Sequence, residues 1–198
     1  MNYNSQIHHR RSIRLKGYDY SRAGLYFITI CCNDRKCLFG EIRNRQMILN
    51  KYGTIAYNEW IKTSEIRNNI ELDEFIIMPN HIHGIIILNN NGRGELHSPN
   101  NPTTNNINEI HSPNNNLTNI IQGECNSPLR SPSNTIGAIV RGYKSSVTKQ
   151  LNLLNIGCVV WQRNYYEIII RDEQSYKNIS NYIINNPAKW AADKFNRK

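Results

Sequence analysis

The sequence predicts an α+β protein, an antiparallel β-sheet with helices packed on it. Short runs of β-branched and aromatic residues, at 24–32 and 81–88, are bounded by turn residues and read as strands. Longer segments, at 51–66 and 135–151, repeat apolar residues at helical spacing. Pro79-Asn80 is a tight turn signal between two β-rich runs, which makes that pair an antiparallel hairpin.

The elements follow in order. Gly24-Leu25-Tyr26-Phe27-Ile28-Thr29-Ile30-Cys31-Cys32 reads as a central strand. Residues 39–49 read as a short hairpin turning near Asn44, and 51–66, with Ile55, Trp60, Ile61 and Ile66, as a first helix. Residues 74–78 form a second core strand, and 81–88 return from the turn. That places the histidines of the returning strand near an edge of the sheet, where a ligand reaches them. In 135–151, Ile136, Val140, Tyr143, Val147 and Leu151 share one face, and Arg141, Lys144, Ser145 and Thr148 lie towards the other. A strand is expected at 166–170. Asp172 is a natural N-cap for a last helix that ends near Asn186, before Pro187.

Between these halves, residues 89–134 change character. Asn, Ser, Thr and Pro dominate, and His97-Ser98-Pro99-Asn100-Asn101 recurs as His111-Ser112-Pro113-Asn114-Asn115. Such sequence cannot bury enough apolar surface to offset its ordering entropy, so it reads as a disordered, low-complexity insertion in one domain whose core spans about 20–190.

The 198 residues carry a formal charge of +9. Residues 135–198 hold ten Lys and Arg against four Asp and Glu, so the excess lies mostly in the C-terminal third. A basic balance favours a polyanionic partner, most often nucleic acid. The five cysteines are odd in number and form no Cys-x-x-Cys pair, which argues against a disulfide framework or a zinc ribbon and for free thiols in a reducing cytosol. The polar, basic start is not a signal peptide, and no apolar run approaches the ~20 residues that span a bilayer.

Two clusters carry chemistry. His81 and His83 stand two apart on a strand, so both imidazoles can aim at one point, as half of a metal site does. A half-buried strand with two exposed histidines has the same spacing. Tyr182 and Asn186 stand four apart on the last helix, about a turn apart on one face. An amide oxygen is a neutral metal ligand and a phenol a nucleophile, although Tyr on such a helix is also ordinary core.

Pro79-Asn80-His81-Ile82-His83, the basic helix, Trp161-Gln162-Arg163 and Tyr182-x-x-x-Asn186-Pro187 together resemble the REP-associated branch of the single-tyrosine transposases. These are HUH endonucleases, named for a histidine–hydrophobic–histidine motif. The resemblance covers nearly all of the chain outside 89–134. It implies a ferredoxin-like plan, His81, His83 and Asn186 as ligands of Mg²⁺ or Mn²⁺, and Tyr182 as the nucleophile. It also implies single-stranded DNA with hairpin or palindromic repeats as substrate, a 5′-phosphotyrosine intermediate, and a cytoplasmic, nucleoid-associated protein. Monomer and homodimer both stay open. Ile168 stands where the family often has histidine.

Arg141, Lys144 and Lys149 are the expected DNA-backbone contacts. Tyr143 is the rival nucleophile, but its partner four residues on is Val147, which cannot ligate a metal. The alternatives to a transposase are a non-catalytic nucleic-acid-binding protein on the same fold and a metal phosphohydrolase using activated water.

Overall fold

A computed structural model describes residues 18–89 and 134–196. The low-complexity tract expected at 89–134, with both of its histidine repeats, lies outside the described residues except for its two ends.

The chain runs β1 (Gly24–Cys31), a 3₁₀ turn (Asn33–Arg35), β2 (Gly40–Arg43), β3 (Gln46–Leu49), α1 (Lys51–Ile66), β4 (Ile70–Ile77) and β5 (His81–Leu88). It continues with α2 (Ile136–Leu153), β6 (Tyr166–Ile170), α3 (Glu173–Ile184) and a 3₁₀ segment (Pro187–Ala192). Helix starts follow the cap chemistry. Asn50 accepts from the Tyr52 and Gly53 amides, Thr135 from Ala138, and Asp172 from Ser175. The β2–β3 hairpin turns through Asn44 and Arg45, both with positive φ, the geometry of a tight primed turn.

Strands pair in the order β4-β5-β1-β6, every neighbour antiparallel. β1 connects to β4 through α1 with β5 between them. β5 connects to β6 through α2 with β1 between them. These two interlocked split βαβ units are the ferredoxin-like plan, with the β2–β3 hairpin inserted before α1.

The pleat divides the core. Tyr26, Ile28, Ile30, Ile82 and Ile86 face α1 and α2 and pack with Trp60, Ile139, Tyr143 and Val147. Phe27, Ile85 and Ile170 face the other way and pack with Ile183 of α3. Gly84 is required by close approach, because a Cβ there would stand 2.5 Å from Cζ2 of Trp60. No helix among the described residues is long and apolar enough to cross a membrane.

One expectation is corrected. β5 is an interior strand rather than an edge, because α1 places β4 outside it. His81 and His83 are 0% and 1% exposed. Their side chains lie on the α3 face of the sheet, beside Tyr182, and not at an edge.

Candidate active site

The odd residues of β5 face α3, so His81 and His83 share one pleat face, and their ring centroids lie 4.4 Å apart. α3 brings Tyr182 over them. Pro187 then starts a new turn at the helix end, which carries Asn186 and Asp193 to the same place.

His83 is held on both ring nitrogens. Its Nδ1 lies 2.8 Å from Thr29 Oγ1 and its Nε2 3.1 Å from the Tyr182 hydroxyl. Phe27 stacks on the ring at 5.2 Å. His81 Nδ1 lies 2.8 Å from Asn80 Oδ1. Asn186 Nδ2 donates to Asp193 Oδ2 at 3.2 Å, and Asp193 Oδ1 accepts from the Phe195 amide at 2.6 Å.

Burial sets the charge states. It lowers His81 to about 4, against the opposing pull of Asp193, with Arg35 and Lys194 adding to the fall. Burial also drives His83 well below the usual histidine range, helped by His81 and Lys194. Both imidazoles are therefore neutral at pH 7; His81 Nε2 has no partner, while both His83 nitrogens face hydroxyls. Tyr182 is raised, first by burial and then by the Asp193 charge, so its phenol is protonated at neutral pH.

Two atoms mark where an electrophile would go. His81 Nε2 and Asn186 Oδ1 are buried with no hydrogen-bond partner. A buried polar atom left unmade costs roughly 1–3 kcal/mol, so such a pair needs a reason. Ligand atoms of His81, His83 and Asp193 all lie within 4.8 Å of one another. Two neutral imidazoles, an amide oxygen and a carboxylate form a mixed nitrogen and oxygen set that suits a divalent cation. These residues can hold a metal. A cleft of about 570 Å³ opens beside them, lined by Tyr182, Asn186, Lys189, Asp193 and Lys194.

The structure thus brings together His81, His83, Tyr182 and Asn186. It does not bring Arg141, Lys144 and Lys149 there, because α2 covers the opposite face of the sheet. Arg141 and Lys149 are exposed on α2. Lys144 is half-buried, and its ammonium donates to the carbonyls of Gln162, Arg163 and Asn164, at 2.8, 3.4 and 2.9 Å. Burial lowers it to about 8. Tyr143 is core: its hydroxyl donates to Ala56 O at 2.9 Å, and its ring packs against Trp60 and Trp161.

Sequence reasoning missed Asp193, Thr29 and Asn80. Asp193 lies past the Pro187 break with no spacing signal, and Thr29 acts through strand pairing with His83. Asn80 is legible as a turn residue and as part of the Pro79–His83 block, with no signal of what its amide touches.

The fold is similar to that of a solved REP-associated tyrosine transposase bound to a REP hairpin. That structure matches with a TM-score of 0.53 and 18% identity, over 92% of this chain and 77% of the other, and shares its fold. The chain belongs to one family with an uncharacterized protein of Haemophilus influenzae (strain ATCC 51907 / DSM 11121 / KW20 / Rd). The two are 43% identical over 200 residues, 96% of this chain and 95% of the relative. No protein-family model matches the chain.

Proposed function

We propose that this protein is a transposase, a metal-dependent single-stranded DNA endonuclease and strand transferase with Tyr182 as nucleophile. The observation that carries this reading is the Tyr182 hydroxyl, 3.1 Å from His83 Nε2, beside two buried acceptor atoms without partners. A core tyrosine needs no such neighbours. The substrate is single-stranded DNA flanking a hairpin or palindromic repeat, the kind of element named for the structural neighbour.

A divalent cation, Mg²⁺ or Mn²⁺, held by His81, His83 and Asn186 with Asp193 beside them, would stabilise charge developing on the scissile phosphate. The chain's own groups do the rest. Lys189 and Lys194 line the cleft and attract the phosphate backbone. Arg141 and Lys149 lie on the far side of the sheet, where they would hold a more distant part of the DNA. Phe27 and the β-sheet fix the His83 ring, and the Tyr182 ring meets Phe27 edge-on at 6.2 Å, so the nucleophile is oriented before substrate arrives.

In the cleavage step, Tyr182 Oη gives its proton to water and forms a bond to phosphorus as the bond from phosphorus to O3′ breaks. The departing O3′ takes a proton and leaves as a hydroxyl. The 5′-phosphate stays on Tyr182. Attack by the 3′-hydroxyl of a second strand reverses the exchange and frees the tyrosine, so joining needs no nucleotide cofactor.

The test is a denaturing gel of the protein incubated with labelled hairpin-bearing single-stranded DNAs, with and without Mn²⁺. A metal-dependent adduct that survives denaturant and vanishes in Tyr182→Phe is the expected result. An adduct kept in Tyr182→Phe but lost in Tyr143→Phe would overturn the assignment. Cleavage with no adduct would point to activated water, and binding without either to a non-catalytic protein.

A further inference from the structure

Asn80 is 1% exposed and lies between three parts of the chain. Its Nδ2 donates to Arg35 O at 3.1 Å and to Phe195 O at 2.8 Å. Two carbonyl oxygens around one atom settle the amide's orientation, because a flipped amide would set oxygen against oxygen. Oδ1 therefore faces His81 Nδ1, 2.8 Å away. A neutral imidazole carries one N–H, and an amide oxygen only accepts, so the hydrogen of His81 sits on Nδ1. In water a neutral histidine prefers the other tautomer. The local amide reverses that preference and leaves Nε2, the partnerless atom, with its lone pair free.

The same amide reaches the C-terminal segment. Phe195 O is held by Asn80, and Lys194 O by Arg35 Nη1 at 2.7 Å. Between these carbonyls and Pro187 lies Asp193, the carboxylate beside the two histidines. The Phe195 ring rests on His81 with centroids 4.6 Å apart, and Arg35 Cζ lies 5.0 Å from the Phe195 ring centroid.

We propose that Asn80 is a positioning residue whose amide oxygen selects the ligand-ready tautomer of His81 while its NH₂ docks the segment that carries Asp193. The inference rests on the metal-site reading above. It gives the Pro79-Asn80 turn a role beyond reversing the chain: one side chain orients a histidine of the site and anchors the segment that carries the neighbouring carboxylate, as outer-shell partners of metal sites do.

The test uses the full chain without DNA. Histidine ¹⁵N–¹H correlation spectra of the metal-free protein at pH 7.5 report which nitrogen of His81 is protonated, and calorimetric titration gives the Mn²⁺ affinity. In the unaltered protein His81 is expected to be protonated on Nδ1. Asn80→Ala should move it towards Nε2 protonation and weaken Mn²⁺ binding about 10–100-fold. Asn80→Asp keeps an acceptor but loses both donors. It should hold the tautomer while amide exchange across residues 193–196 accelerates. Protonation on Nε2 in the unaltered protein would overturn the proposal. So would unchanged tautomer and Mn²⁺ affinity in Asn80→Ala. If Asn80→Ala does not fold, the unaltered tautomer and Asn80→Asp decide. A protein that passes these tests and forms no DNA adduct would keep the role of Asn80 and lose only the transposase reading.

Discussion

The hydroxyl of Tyr182 stands 3.1 Å from Nε2 of His83, joining residues 99 positions apart in sequence. Neither residue alone distinguishes an active site from a core. Their contact on the α3 face, beside His81 Nε2 and Asn186 Oδ1, is what separates Tyr182 from the other tyrosines.

Tyr182→Phe removes one hydroxyl from a partly buried ring. The change leaves the buried His83 Nε2 without its hydroxyl partner, so the metal-free variant should be less stable than the parent by about 1–3 kcal/mol. Covalent capture of DNA should disappear while DNA binding changes little. Urea denaturation and a binding isotherm, run beside the denaturing gel, check both halves.

Tyr143→Phe should do the opposite. The buried hydroxyl bonded to Ala56 O links α2 to α1, and its loss strands that carbonyl in the core at a cost of about 1–3 kcal/mol. Adduct formation at a temperature where the variant is folded should persist. Loss of the adduct in a folded Tyr143→Phe protein would contradict the assignment of that residue to the core.

Metal should stabilise the fold through the same ligands. A cation present at 100 times its dissociation constant adds about 2.7 kcal/mol to unfolding, and a chelator removes it. The Mn²⁺-dependent rise in thermal midpoint should vanish in His81→Ala. A rise that survives that change would place the cation elsewhere.

Acid should destabilise the metal-free protein below about pH 6.5, the ordinary histidine value. Burial holds His81 near 4 and His83 well below its usual range, so the folded chain refuses protons that the unfolded chain takes up. Stability is therefore complete above about pH 6.5 and falls as pH drops, by roughly 1.4 kcal/mol per pH unit for each histidine. The His81 share levels off near pH 4. Urea titrations between pH 7.5 and 4.5 measure the slope, and His81→Gln should flatten it.

Lys149 and Lys144 should separate on α2. Lys149 is exposed, so Lys149→Ala should weaken DNA binding and lower its salt slope by about 1 if it contacts a phosphate. The Lys144 ammonium is engaged by three carbonyls of the 162–164 loop. Lys144→Met should loosen that loop, seen as faster amide exchange, and leave the salt slope nearly unchanged.

Local pattern determined most of the fold. The helix at Lys51–Ile66, the strand at Tyr166–Ile170, the turn at Asn44 and the cap at Asp172 are all legible in sequence, because each rests on periodicity or on side-chain bonds to nearby backbone. His81 and His83 were also legible as a pair, since a strand's two-residue period needs no tertiary knowledge. The tertiary structure alone decided three things. It placed the histidine strand inside the sheet, because strand order depends on which way each helix crosses over. It put the Tyr182 hydroxyl beside His83 and the Tyr143 hydroxyl against Ala56 in the core, because α3 and α2 pack on opposite faces of the sheet. And it joined the Asn80 NH₂ to carbonyls 45 and 115 residues away and brought Asp193 beside the two histidines, distances at which neighbouring sequence carries no signal.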